Sequence, residues 1–128
     1  MNAVGTHLLV EFQACNAETL NDLKGLRTAL ISAAEEVGAT VIGDTFHQFS
    51  PHGVTGVVAI AESHLCIHTW PEYAYAAVDI FTCGDSLTPH LAVERIADYL
   101  ESTDHQVTEI RRGPRSPVAT KAAVTAQA

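Results

Sequence analysis

Cations are scarce in this chain: 7 Lys and Arg stand against 15 Asp and Glu in 128 residues, a formal charge of -8 at neutral pH. Nucleic-acid binders gather Lys and Arg on one face to track phosphates. The charge balance argues against such a surface, and a neutral or cationic ligand fits it better. Long apolar runs are also missing. No segment approaches the roughly 18 consecutive apolar residues of a membrane span, and MNAVGTHLLVEF carries no basic stretch ahead of an apolar one. A soluble cytoplasmic protein without membrane or nucleic-acid partners is the expectation. Cysteine is sparse and odd in number, with Cys15, Cys66 and Cys83 and no secretion signal, so a disulfide framework is not expected. Gly-x-Ser-x-Gly, the signature of a nucleophile elbow, is absent, and so is Cys-x-x-Cys.

What is present is enough apolar material, 47% of residues, for one core. A single domain is expected over residues 1–113, followed by a proline-broken, alanine-rich flexible tail over 114–128. From His7 to Gln13 apolar and polar residues alternate, the period of a half-buried strand. From Ala17 to Val37 leucines and alanines recur at spacings of three and four, which predicts an amphipathic helix with an interruption near Gly25 and a stop at Gly38. Thr40–Gln48 and Val54–Ala61 read as a hairpin around Ser50-Pro51-His52-Gly53. Two further strands, Leu65–Thr69 and Tyr75–Cys83, flank a turn at Pro71. Thr88 stands as a helix N-cap, with Pro89 at the first helical position. A second helix rests on Leu91, Val93, Ile96, Ala97 and Leu100, and a last strand spans 106–112. The order βαββ then ββαβ predicts an α+β two-layer sandwich, an antiparallel sheet with two main helices on one face. Strands such as Val54–Ala61 are apolar on both sides, so the uncovered face is expected to pack against another subunit.

Unusual side chains concentrate between Ala61 and Gly84. On a strand, His64, Cys66 and His68 project from one face, and imidazole with thiolate suits zinc or copper. Packed, hydrogen-bonded sheet residues are the other reading, favoured for Cys66. Ser63 alone is an ordinary turn-forming serine. Cys83 ends a strand where a turn begins, a common position for a functional side chain, although a buried, inert thiol is the favoured reading from the residues alone. These residues make a site-like cluster without specifying a reaction.

A longer pattern does specify one. Glu62-Ser63-His64, Ile67-His68-Thr69-Trp70-Pro71-Glu72-Tyr73, Ala76-Ala77-Val78-Asp79 and Phe81-Thr82-Cys83-Gly84, with Phe46-His47, Phe49-Ser50-Pro51 and Gly53-Val54-Thr55-Gly56 upstream, resemble the small prokaryotic S-adenosylmethionine decarboxylase proenzymes. The likeness covers about residues 4–113. It implies autocatalytic cleavage between Glu62 and Ser63 into a β chain, 1–62, and an α chain, 63–128, with Ser63 converted to a pyruvoyl group that forms a Schiff base with the substrate. It implies that Thr55, where the family usually carries serine, assists processing, that His68 accepts the Ser63 α-proton, and that Cys83 is the proton donor in decarboxylation. Glu72 matches the residue that holds the ribose hydroxyls and Phe49 an aromatic that stacks on adenine. The partners implied are S-adenosylmethionine and a second copy in a homodimer, and the product is the aminopropyl donor for spermidine. The same machinery also suits a pyruvoyl-dependent arginine or ornithine decarboxylase, although Glu72 and the Trp70-Pro71 turn favour a nucleoside-bearing substrate. A metal-binding protein using His64, Cys66 and His68 is the alternative from another class. No metal is expected under the decarboxylase reading.

Overall fold

The computed structural model describes residues 3–114. Six strands form one antiparallel sheet: β1 (Ala3–Gln13), β2 (Thr40–Gln48), β3 (Val54–Ala61), β4 (Ser63–Trp70), β5 (Tyr75–Cys83) and β6 (Asp104–Pro114), in spatial order β2-β3-β4-β5-β1-β6. The helices are α1 (Ala17–Leu20), α2 (Leu23–Glu36) and α3 (Pro89–Leu100). After β1 the chain crosses over the sheet through α1 and α2 to its far edge. It returns by hairpins from β2 to β5, and α3 then carries it to β6 on the opposite edge. This route places β4 and β5, which hold the unusual side chains, in the interior of the sheet.

Strand alternation decides what each face does. Leu8, Val10 and Phe12 of β1, Val58 and Ile60 of β3, Leu65 and Ile67 of β4, and Val78 and Ile80 of β5 point toward Leu26, Leu30, Ile96 and Leu100 of the helices, and all are buried. Each such Leu, Ile or Phe contributes about 1.5–3 kcal/mol by leaving water. Arg27 of α2 grips Asp44 of β2 through two hydrogen bonds, 2.7 and 3.1 Å. Among the described residues, the opposite face carries no helix. Thr55, Val57, His64, Cys66, His68, Asp79, Phe81 and Cys83 project there, so it is more polar than the apolar reading of β3 implied. No helix among the described residues is long and apolar enough to cross a membrane.

The α+β sandwich and its element order stand as read from the sequence, with local corrections. The first helical segment breaks at Asn21 and Asp22, not at Gly25. The Asp22 carboxylate caps α2 by accepting from the Gly25 N–H at 3.1 Å. A side chain at Gly25 would meet the Tyr99 hydroxyl and that same carboxylate, so the glycine provides space inside the helix. Thr88 occupies the N-cap position of α3 but its side chain makes no capping hydrogen bond. Strands β1, β4 and β6 extend beyond the predicted 7–13, 65–69 and 106–112, because ladder partners on both sides of β1 and β4 keep the pairing going past the apolar alternation. Pro114 closes β6, and the rest of the expected flexible tail, 115–128, lies outside the described residues.

Candidate active site

At one end of the central strands, Glu62 is the sole residue between β3 and β4. So tight a reversal forces Ser63 to φ +107°, a region L side chains rarely adopt. Conformations of this kind cost roughly 1–3 kcal/mol and persist only where neighbours impose them. Here the neighbours are Ile60 and Thr82, which pair with Ser63 from either side. One residue past Thr82, the Cys83 thiol donates to Ser63 Oγ at 3.9 Å. Gly5 of β1 lies opposite Cys83, and a Cβ there would sit 3.3 Å from Cys83 Sγ and 2.7 Å from the Thr82 carbonyl. Glycine at this position leaves the thiol its room.

The other end of β4 has a different character. Thr55 of β3 and His68 of β4 are register partners, and Thr55 Oγ1 shares a 3.0 Å hydrogen bond with His68 Nδ1. Beside them opens a cleft of about 300 Å³ whose lining includes Phe49, His52, Thr55, His68, Trp70 and Glu72. The buried Thr69 hydroxyl donates to the Leu20 carbonyl at 2.7 Å and accepts from the Val54 N–H at 2.8 Å, pinning α1, β3 and β4 together beneath the cleft. Glu72 stands in a single 3-10 turn, Pro71–Tyr73, and its Oε1 lies 3.2 Å from His52 Nε2. Trp70 stacks on Tyr75 with ring centroids 5.4 Å apart. Tyr75 in turn donates to Glu11, and burial together with that carboxylate pushes the phenol up to about 12.

The residues singled out in the sequence therefore form two groups. Ser63, Glu62 and Cys83 meet at one end of the sheet, and Thr55, His68, Phe49 and Glu72 at the other. His68 follows Ser63 by five positions on β4, which at about 3.3 Å per residue is roughly 16 Å. Within one chain neither His68 nor Thr55 reaches the Ser63 α-proton. Between the two groups, His64 packs edge-on against Phe81 at 5.8 Å, while Cys66 faces its register partner Asp79. Burial, then the Asp79 carboxylate, pushes the Cys66 thiol up to about 11, so it stays protonated at neutral pH. His64, Cys66 and His68 share a face, but no group of three or more His, Cys, Asp or Glu among the described residues is arranged to hold a metal ion. Sequence reasoning passed over His52, treated only as part of a turn, and His7. The His7 ring stacks on Phe81 at 5.3 Å, accepts at Nδ1 from the Arg112 guanidinium at 3.0 Å, and leaves Nε2 buried 3.8 Å from Asp79, too far for a hydrogen bond. Its place on the open-face side of β1 was the available signal.

Comparison with known proteins supplies a family. Residues 6–113 match the family model described as S-adenosylmethionine decarboxylase. The chain is 50% identical over 113 residues to the S-adenosylmethionine decarboxylase proenzyme of Thermodesulfovibrio yellowstonii, covering 88% of this chain and 84% of that protein. It is 48% identical over 117 residues to the proenzyme of the same name from Moorella thermoacetica, covering 91% and 94%. The crystal structure of the adenosylmethionine decarboxylase from Aquifex aeolicus superposes with a TM-score of 0.84 at 34% identity, covering 91% of this chain and 97% of that one.

Proposed function

The chain belongs to the S-adenosylmethionine decarboxylase family, and from that premise we propose that it cuts itself between Glu62 and Ser63 and then decarboxylates S-adenosylmethionine. The observation that carries the reading is Ser63 held at φ +107° directly after the one-residue connection at Glu62, with the Cys83 thiol 3.9 Å from its hydroxyl. Backbone strain at the scissile junction raises the peptide toward the less stable ester that must replace it. The Ser63 hydroxyl attacks the Glu62 carbonyl carbon, the C–N bond breaks, and the acyl group moves from nitrogen to oxygen. Removal of the Ser63 α-proton then expels the Glu62 carboxylate by β-elimination, releasing residues 1–62. The dehydroalanine left at position 63 takes up water and loses ammonia, which leaves a pyruvoyl group.

Position 63 suits that group: it is half-buried at the end of β4, it faces a thiol, and Gly5 keeps the space open. The pyruvoyl carbonyl supplies an electron sink for the pair left behind when carbon dioxide departs from the substrate. Cys83 delivers a proton to the substrate carbon from its Sγ. Phe49 offers a ring to adenine, and Glu72 offers carboxylate oxygens to ribose hydroxyls. A cleft that offers both an aromatic ring and a carboxylate favours this substrate over arginine or ornithine, which have no ribose, and the names of the relatives point the same way.

His68 and Thr55 act on Ser63 only if another chain brings them there. A homodimer packed through the helix-free face supplies this arrangement. A two-fold axis between the sheets that crosses β4 near Cys66 lays the Ser63 end of one copy over the His68 end of the other, giving two complete sites. Decarboxylated product from such a site serves as an aminopropyl donor in polyamine synthesis. An intact mass spectrum under denaturing conditions tests the cleavage, with two fragments expected, the C-terminal one lacking a free amine and carrying a pyruvoyl mass. Carbon dioxide release from S-adenosylmethionine, arginine and ornithine then tests the substrate, and a single uncut, inactive chain would remove the reading.

A further inference from the structure

His52 takes no part in the chemistry above, yet its Nε2 lies 3.2 Å from Glu72 Oε1 at the wall of the cleft. We propose that His52 is a positioning residue for Glu72: it holds Oε1, so that Oε2 is presented to a vicinal diol such as that of a ribose ring. The proposal rests on the reading of Glu72 as the ribose contact and adds the device that gives that contact its geometry.

The two sides of the pair are held very differently. The loop carrying His52 is anchored from several directions. Phe49 N–H donates to the Gly53 carbonyl at 2.8 Å, and Gln48 Nε2 donates to the same carbonyl at 3.0 Å. Asn21 Oδ1 accepts from the Gly53 N–H at 2.9 Å and from Gln48 Nε2 at 2.8 Å. Gly53 itself takes φ +106°, where a side chain would be strained, and a Cβ there would lie 3.1 Å from the Thr69 carbonyl. Glu72, in contrast, projects from one turn of 3-10 helix that ends at Ala74 with φ +50°, and its side chain is 42% exposed. Among the described residues, the polar group within ion-pair reach of it is His52 Nε2, 3.2 Å from Oε1. An exposed glutamate samples several rotamers, and ordering it costs free energy at each binding event. An imidazole carried on a tied loop lowers that cost before the ligand arrives. Because Phe49 and His52 belong to the same loop, the base-stacking ring and the diol clamp are set by one anchor.

Trp70 is the chain's only tryptophan and lines the cleft, so its fluorescence reports occupancy. The probes are adenosine and 2′-deoxyadenosine, titrated into the purified protein. The wild type is expected to prefer adenosine by about tenfold or more, since a carboxylate built to receive a hydroxyl penalises its absence. His52→Ala is expected to cut the preference to about twofold, and His52→Gln, which keeps an N–H donor at similar reach, to recover most of it. In a Glu72→Gln background, His52→Ala should change nothing further. With S-adenosylmethionine as substrate, His52→Ala should raise KM several-fold and leave kcat alone, the mark of lost ground-state binding. Undiminished preference in His52→Ala overturns the proposal and leaves the role of Glu72 standing. Additive losses in the double variant overturn it as well, because they mean that His52 touches the ligand itself. Absence of any ribose preference in the wild type overturns the reading of Glu72 and the proposal with it.

Discussion

The two ends of β4 are built on opposite principles. At the Ser63 end the backbone is strained, the connection is a single residue, and a hydroxyl and a thiol face each other. At the His68 end the backbone is relaxed and regular, a histidine is paired with Thr55 across the ladder, and aromatic and acidic side chains surround an open cleft. One end is suited to breaking a peptide bond and the other to holding a ligand and moving a proton. The comparison teaches that a compact motif in the sequence need not be a compact site in space. Within one chain Ser63 and Cys83 stand at one end of β4, and His68 with Thr55 at the other.

Substitutions at the strained end should have the largest effects. Ser63→Ala is expected to leave a single uncut chain with no decarboxylation, read directly by mass and carbon dioxide release. Cys83→Ala should still be cut but lose about 10²–10⁴-fold in decarboxylation, the range of a missing general acid. Equal loss of cutting and turnover would place the thiol in both reactions. At the relaxed end, Thr55→Val removes the hydroxyl that meets His68 and is expected to slow cleavage by about 10²-fold, whereas Thr55→Ser should cut at a near-normal rate. Followed by gel densitometry over time, equal rates for valine and serine would show the hydroxyl to be dispensable. The smallest effect belongs to Cys66, between the two ends. With its thiol raised to about 11 by burial and Asp79, it should alkylate at pH 8 about a hundredfold more slowly than an unhindered cysteine, its rate climbing as pH approaches 11. Rapid modification at pH 8 would mean that this middle stretch is far more open than its packing indicates.

Period-two alternation was a sound guide to the sheet. The bounds Thr40–Gln48, Val54–Ala61 and Tyr75–Cys83 hold as read, because turns and a proline punctuate them on both sides. The helix break was misplaced because glycine is the conspicuous breaker, while the capping carboxylate of Asp22 decides where α2 starts. The motif names Ser63, Cys83, His68, Thr55, Phe49 and Glu72 without their separation into two groups, although strand spacing alone sets His68 far from Ser63. His52 was beyond reach for a different reason. Its contact with Glu72 depends on how two loops distant in sequence approach each other, and neither loop carries a periodicity that encodes it.

The most direct test of this account uses two distinguishably tagged chains made together, one carrying Ser63→Ala and the other His68→Ala. Neither should cut itself when made alone. In mixed dimers, verified by co-purification through both tags, the account predicts cleavage of the His68→Ala chain only, its Ser63 being served by the histidine of the Ser63→Ala chain. If the His68→Ala chain stays whole in those dimers, the two ends of β4 do not complete each other across copies.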